Sequence, residues 1–397
     1  MLRVLTLSTL FPDAGRPAFG VFVERQTLGI AARPGVDLRV VAPVGLPPGP
    51  LDRLAHYRPL GRLPQRERWK GLEVFRPRFA TIPGTGGRFH VPALVRALAP
   101  LLDSLRESFA FDVIDAEFFF PDGPAAVALG RRYGVPVSIK ARGADIHHWG
   151  HGATAAQVRR AGRQADGLLA VSQAMREDMV ALGLPAERIR VHRTGVDSDR
   201  FRPLDRAAAK REWGIAGPLV ASVGALIARK GHELVIEALA KMPGATLLIA
   251  GEGPERARLE ALIARLGLGE RVRLLGAIPH EAVPRLLAAA DVMALVSASE
   301  GLANAWVEAL ACGTPVVASD AGGVREVLTA PAGGRIVART PAAIAAAICE
   351  LIAAPPAAED VRALVGGFTW QANAAALHAH LGGLCQGERP ARRRARI

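Results

Sequence analysis

The stretch ASEGLANAWVEALACGTPVVASDAGG (residues 298–323) carries two carboxylates, Glu300 and Glu308, on either side of a short loop and ahead of a run that reads as a buried strand. On one continuous helix this spacing would offset them by about 80° and separate them by about 12 Å along the axis, so they would not face each other. They therefore belong to different elements. Gly301 and Asn304 interrupt the apolar pattern, and Asn304 is a good N-cap for a helix that begins near Ala305 over AWVEALAC. Gly313 stands where a C′ glycine ends a helix, and PVVAS is short, apolar and β-branched enough for a central parallel strand. Glu308 then lies about one turn inside a helix whose free amides point back toward Glu300. A helix N-terminus after a glycine loop attracts phosphate. Carboxylates beside it would repel phosphate, so they suit neighbouring hydroxyls, such as the diols of a ribose or a sugar. The alternative is that Glu308 serves the positive end of its own helix, although a capping box places Glu three residues after the cap and here it comes four after.

Working outward, strands and helices alternate nearly throughout. LRVLTLS, DLRVVAP, DVIDAE, PVSIKA, GLLAVS and IRVHRTG read as strands, separated by helical patterns such as PALVRALAPLLDSLRES and QAMREDMVALGL. After the polar GVDSDRFRPLDR the alternation restarts with LVASVGA, ATLLIAGEG, VRLLGAI, DVMALVS and TPVVASD. Two successive βα series imply an α/β protein of two doubly wound, Rossmann-like domains, with ligands beyond the carboxyl ends of the strands and a cleft between the domains as the natural site. The expected division is 1–196 for the first domain, 197–218 for a linker, 219–375 for the second domain, and 376–397 for a helix end and basic tail.

Composition narrows the classes. The 397 residues are 50% hydrophobic and 22% charged, as in a chain of two or three domains with substantial cores. Cys312, Cys349 and Cys385 form no C-x-x-C pair, which argues against a disulfide framework or zinc site and for a reducing cytoplasm. The opening MLRVLTLSTLFPDAG breaks at Pro12-Asp13 and reads as a first strand rather than a signal peptide. No run approaches the roughly 18–20 apolar residues of a membrane span. The formal charge of +13 fits an acidic partner: phosphorylated substrates, an anionic membrane face or nucleic acid. Arginine-rich codon usage would produce the same charge. With only two tyrosines, the interleaved aromatics of a single-strand nucleic-acid binder are missing.

Further signals fall at strand ends in the second half. SVGALIARKGH places Arg229 and Lys230 after a strand and before a helix, where cations would meet a diphosphate. AGEGP offers Gly251 and Gly253 for close backbone approach around Glu252, with Pro254 as the first residue of a helix.

These residues resemble the retaining GT-B glycosyltransferases of family 4. EGLANAWVEALACGTPVVAS is similar to the family's E-x₇-E signature, RKG to its basic phosphate-binding element, and AGEGPERARLEALIARLGLGERVRLLGAIP, which ends near Ile278, to its nucleotide-binding stretch. The likeness spans most of residues 1–375. It implies that Glu300 contacts the hydroxyls of a donor sugar, Glu308 a ribose diol, and Arg229 and Lys230 the diphosphate. The amides around Gly301, Leu302, Ala303 and Asn304 would complete the donor site, and Gly20 would face the donor phosphates from the first domain. Asp197 falls where the family joins its domains and reads as structural.

Two departures stand out. Ala225 occupies a place where the family often has Arg, and Arg142 in KARGADIHHWGHG occupies that of the histidine in His-Gly-x-Asp. Arg142 keeps its proton at neutral pH and cannot act as a base, but it can hold a phosphate or hydroxyl, with Asp145 and His147 as further acceptor-side contacts. His147, His148 and His151 lack a regular ligand spacing, and the resemblance implies neither a metal nor a bound cofactor.

The expected activity is transfer of a sugar from a nucleotide diphosphate sugar to an acceptor hydroxyl with retained configuration, in surface polysaccharide or glycolipid synthesis. Partners would be the donor and a glycan or lipid-linked acceptor, with peripheral contact at the inner face of an anionic membrane through the tail GERPARRRARI, and no nucleic acid. A catalytically silent nucleotide-sugar binder and a GT-B-shaped sugar-nucleotide epimerase are the alternatives.

Overall fold

The computed structural model describes residues 1–54 and 57–387, so the basic tail from residue 388 lies outside the described residues. The first unit runs from Met1 to Arg193 and resumes at Trp370. Its strands are β1 (Leu2–Leu7), β2 (Val36–Val41), β3 (Val44–Leu46), β4 (Arg66–Trp69), β5 (Leu72–Phe75), β6 (Arg78–Ala80), β7 (Val113–Ala116), β8 (Val137–Ala141), β9 (Gly167–Ala170) and β10 (Ile189–Val191). Eight form one sheet in the order β10-β9-β8-β7-β1-β2-β5-β4, parallel except for the β4–β5 hairpin, and β3 pairs with β6 alone. Strand order reverses direction between β1 and β7, which are hydrogen-bonded neighbours.

The second unit, Thr194–Thr369, contains β11 (Leu219–Val223), β12 (Thr246–Ala250), β13 (Val272–Gly276), β14 (Val292–Leu295), β15 (Val316–Ser319) and β16 (Gly334–Val337). They form a wholly parallel sheet in the order β13-β12-β11-β14-β15-β16, the 3-2-1-4-5-6 order of a doubly wound sheet. Successive residues enter opposite cores. Leu219, Ala221, Met293 and Leu295 pack on one face, and Val220, Val292 and Ala294 on the other. Burial on both faces is why these strands read as continuous apolar runs.

The expected boundaries need two corrections. Residues 197–218 are not a linker but part of the second unit, with a helix Arg206–Glu212 and with Phe201 and Ala209 in its core. The helix Trp370–Cys385 belongs to the first unit, where Leu377 and Leu381 pack with Val4, Val40 and Val113. A Cβ on Gly29 would lie 3.3 Å from that of Ala374, so the helix Val21–Ala31 meets this last helix closely.

Candidate functional site

In doubly wound sheets ligands collect where strand order reverses, beyond the strand carboxyl ends. In the second unit that point is flanked by the loops after β11 and β14. The β11 loop makes a short 3-10 turn, Ala228–Lys230, and ends at Gly231 with φ +72°. A Cβ on Gly231 would lie 2.6 Å from the Val296 carbonyl oxygen, so only glycine lets this turn lie against the β14 loop. The Ala298 amide donates to the Arg229 carbonyl at 2.7 Å, and the Arg229 guanidinium donates to the Ser299 carbonyl. Lys230 Nζ then reaches Glu300 Oε1 at 2.5 Å, while Arg229 Nη1 lies 3.4 Å from Oε2. Sequence separates these groups by some seventy positions, and the fold brings all three together. The Glu300 side chain is 8% exposed and that of Lys230 is 14%, against 37% for Arg229, so the arginine offers the open face of the cluster.

The glycines nearby have a packing duty. Gly251 has φ +153°, and a Cβ there would lie 1.8 Å from the Gly224 carbonyl oxygen. One on Gly253 would lie 2.3 Å from that of Leu226, whose own amide donates to the Glu252 carbonyl at 2.8 Å. The Gly251–Glu252–Gly253 turn thereby fixes the loop that leads to Arg229. Pro254 does not open the following helix as expected, because that helix begins two residues later, at Arg256.

The carboxylates do lie on separate elements. The helix of the 298–323 stretch is Asn304–Ala311, with Ala303 at the cap position and no side-chain cap, so Asn304 is its first residue and not its N-cap. The extended Ala303 backbone accepts the Trp306 amide at 3.0 Å and starts the helix without a polar cap. Leu302 and Ile278 are half-buried against the same core that holds Ala303. Glu308 Oε1 lies 3.6 Å from His280 Nε2, and the His280 ring stands edge-on to Phe201 with Nδ1 3.4 Å from Arg200 Nη2.

Three supporting groups carried no motif. A Cβ on Gly322 would lie 2.3 Å from the Glu300 carbonyl oxygen, and the Gly323 amide donates to the Gly301 carbonyl at 2.9 Å, so the β15 loop braces the Glu300 backbone. His280 reaches Glu308 from the loop after β13. His232 is buried between Ser222 Oγ at 3.0 Å and the Ala225 carbonyl at 3.2 Å. A carbonyl only accepts, so Nε2 carries the proton and Nδ1 accepts from the serine hydroxyl. Burial pushes the His232 pKa down to about 4, which keeps the ring neutral and the turn fixed.

The first unit has its own reversal point, between β1 and β7. Gly20 caps the helix Val21–Ala31 with φ +70°, where a Cβ would lie 2.4 Å from the Leu10 carbonyl oxygen. Arg142, after β8, donates from Nε to the Glu117 carbonyl at 2.8 Å and from Nη2 to the Glu117 carboxylate, with its guanidinium 4.8 Å from the Phe22 ring centre. Its side chain is only 9% exposed. Asp145 is buried and accepts the amides of Phe119 at 3.0 Å, Arg142 at 2.9 Å and Gly143 at 2.7 Å, so its oxygens are spent on the loop. His147 Nε2 turns to Asp178 at 2.8 Å. These three residues share a loop but turn to different partners, and they do not converge as one contact set. Among the described residues, no three His, Cys, Asp or Glu side chains are grouped to hold a metal.

Behind Arg142 lies a polar layer that the sequence did not announce. Gln26 donates to Glu117 and accepts from Lys140 Nζ, which also meets His192 Nδ1 at 2.7 Å, while His192 Nε2 donates to the Asn373 carbonyl at 2.9 Å. Burial and the nearby Arg142 push the Lys140 pKa down to about 7. Burial opposes the charge on Glu117, yet Arg142 and Lys140 hold its carboxyl below the usual range.

Comparison with known proteins agrees with this architecture. Residues 25–200 match the model described as Glycosyltransferase Family 4, and residues 205–363 match Glycosyl transferases group 1. The chain belongs to glycosyltransferase family 4. This glycosyltransferase is 29% identical over 394 residues to TuaC of Bacillus subtilis strain 168, whose name carries a provisional assignment to teichuronic acid biosynthesis; the match covers 95% of the chain and 97% of TuaC. It is 34% identical over 213 residues to a GDP-mannose-dependent alpha-(1-6)-phosphatidylinositol monomannoside mannosyltransferase of Mycolicibacterium smegmatis, covering 50% of the chain and 56% of that relative. Among solved structures, Anabaena HepE in complex with UDP and glucose superposes with a TM-score of 0.72 at 22% identity, over 96% of the glycosyltransferase and 100% of HepE. The glycosyltransferase thus has the GT-B fold of two Rossmann-like units. Among the described residues, no helix of the glycosyltransferase is long and apolar enough to cross a membrane.

Proposed function

We propose that this glycosyltransferase moves a hexose from a nucleotide diphosphate sugar to an acceptor hydroxyl with retention of anomeric configuration. The observation that carries the reading is the convergence of Arg229 and Lys230 on Glu300 at the reversal point of the second unit. Bond cleavage places charge on the leaving diphosphate, and cations already fixed in position stabilise that charge without reorganising. Glu300 holds the two cations apart from each other and leaves the cluster with a net positive charge. It is a poor nucleophile, being bound to both cations, so the reading favours front-face attack in which a donor phosphate oxygen accepts the acceptor's proton. Glu308, angled by His280, is suited to a ribose diol. Gly20, Gly251, Glu252, Gly253, Ile278 and the 301–304 backbone frame the donor, and Arg142 orders the acceptor side through Glu117.

The names of TuaC and the mannosyltransferase support a glycan or lipid-linked acceptor, and the UDP-bound HepE supports a nucleotide donor. The reading places the enzyme in the cytoplasm, at the inner membrane face, without metal or bound cofactor. The test is incubation with UDP- and GDP-sugars, with and without candidate glycan acceptors, followed by proton NMR. Acceptor-dependent release of nucleoside diphosphate and a product with the donor's anomeric configuration are expected. A new sugar nucleotide formed without acceptor would replace the reading with epimerisation, and binding without turnover would reduce it to a silent receptor.

A further inference from the structure

On the first unit, the helices His90–Ser108, Asp122–Tyr133 and Ala155–Gln164 enclose a groove of about 510 Å³ that no part of the sugar-transfer reading uses. Phe89, Pro92, Pro124 and Val127 give it an apolar floor, and Phe89 is 49% exposed. Arg88, Arg131 and Arg160 stand exposed around it, and among the described residues none of the three guanidinium groups has a carboxylate partner. None of the residues that line the groove is Asp or Glu, and the acids of these helices, Asp103, Glu107 and Asp122, lie outside the lining. The groove is also preformed. A Cβ on Gly87 would lie 2.9 Å from the Trp149 ring, and Gln157 Nε2 donates to the Arg88 carbonyl at 3.1 Å, so the Arg88–Phe89 corner is held against the helices.

Three unpaired arginines around an apolar trough complement an anionic amphiphile. A cation-rich rim alone would suit any polyanion, but the trough would then expose apolar surface for nothing. A peptide strand would need free backbone groups to pair with, and the walls here are helices whose backbone bonds are internal. We propose that this groove docks the glycosyltransferase on an anionic lipid surface, with acyl chain against Phe89 and Pro92 and headgroup phosphates at Arg88, Arg131 and Arg160. The site lies wholly in the first unit and stands apart from the donor-site reading, so either can fail without the other.

The test is co-sedimentation of the full-length protein with phosphatidylcholine vesicles, with and without phosphatidylglycerol, at low and high salt. Wild type should bind only the anionic vesicles. Each of Arg88→Gln, Arg131→Gln and Arg160→Gln should lower the partition coefficient about fivefold, and the triple variant about a hundredfold, with melting temperature unchanged. Phe89→Ala should weaken binding at high salt as well, because its contribution is not screened. The same losses should appear when the arginines of the 389–397 tail are replaced by Gln in the full-length chain. Failure of wild type to bind anionic vesicles would overturn the proposal. So would a triple variant that binds like wild type, losses seen only with the tail arginines intact, or a wild-type dimer in sedimentation velocity that the triple variant abolishes.

Discussion

Replacing Lys230 by Ala separates a catalytic cation from a structural one. Its ammonium lies 2.5 Å from Glu300 in a pair that is mostly buried, so removal costs more than the loss of a surface ion pair. A fully orphaned buried charge would cost about 3–5 kcal/mol. Here Arg229 remains 3.4 Å from the other carboxylate oxygen, so the loss should approach that of one charge-assisted hydrogen bond, about 1.5–3 kcal/mol, and the protein should still fold. Turnover should suffer more. Loss of one fixed group aimed at developing charge lowers kcat about 10²–10³-fold, and Lys230 is proposed to gain interaction energy as the diphosphate leaves. The assay is steady-state release of nucleoside diphosphate, with melting temperature recorded on the same samples. Lys230→Arg keeps the charge but not the point-like ammonium, and should fall between Ala and wild type. A kcat for Lys230→Ala within about threefold of wild type would refute the reasoning, because the cation would then be serving only Glu300.

Three further outcomes are expected. Glu308→Ala should weaken donor binding by about 1.5–3 kcal/mol in isothermal titration, and an unchanged Kd would leave Glu308 to its helix and to His280. Gly251→Ala must place a Cβ 1.8 Å from a carbonyl oxygen at φ +153°, so chemical denaturation should show a loss of at least about 2 kcal/mol, whereas Gly267→Ala, at φ +65° in open space, should lose only about 1–2 kcal/mol; equal losses would remove the packing duty assigned to the Gly251 turn. Burial pushes the Asp122 pKa up to about 8, and its Oδ1 is buried without a partner while Oδ2 accepts the Thr9 amide at 2.8 Å. The folded state therefore keeps a proton that the unfolded chain releases near its ordinary value of 3.8, and stability falls as pH rises from about 4 to about 8. Asp122→Asn should flatten that part of the wild-type stability curve; an unchanged slope would place the proton elsewhere.

Much of the second unit was legible because its signals are local. β11, β12, β14 and β15 are buried on both faces, so each reads as an apolar run. The turns at Gly231, Gly251 and Gly313 need positive φ, so glycine marks them in the sequence. The resemblance assigned Lys230 to a diphosphate and Glu300 to sugar hydroxyls, but their ion pair was not legible, since nothing local links residues so far apart. What sequence did not show has the opposite character. The 197–218 segment looks polar, yet Phe201, Ala209 and Ile215 tie it into the second core. β4 alternates exposed arginine and half-buried residues at a sheet edge, which reads as loop. The Gln26–Glu117–Lys140–His192 layer draws one residue from each of four distant segments, and its meaning exists only once the strands are side by side. Asn304 failed as a cap because an extended Ala303 starts the helix by backbone geometry alone.

The central claim is that the second unit binds a nucleotide diphosphate sugar at the Arg229–Lys230–Glu300 cluster. A thermal-shift titration of wild type and Lys230→Ala with UDP, GDP and their sugars tests it most directly. At a hundred times Kd the matching nucleotide should add about 2.7 kcal/mol to wild-type stability, and Lys230→Ala should need a clearly higher concentration for the same gain. No stabilisation of wild type by any nucleoside diphosphate or nucleotide sugar, or an identical titration by Lys230→Ala, would contradict the account.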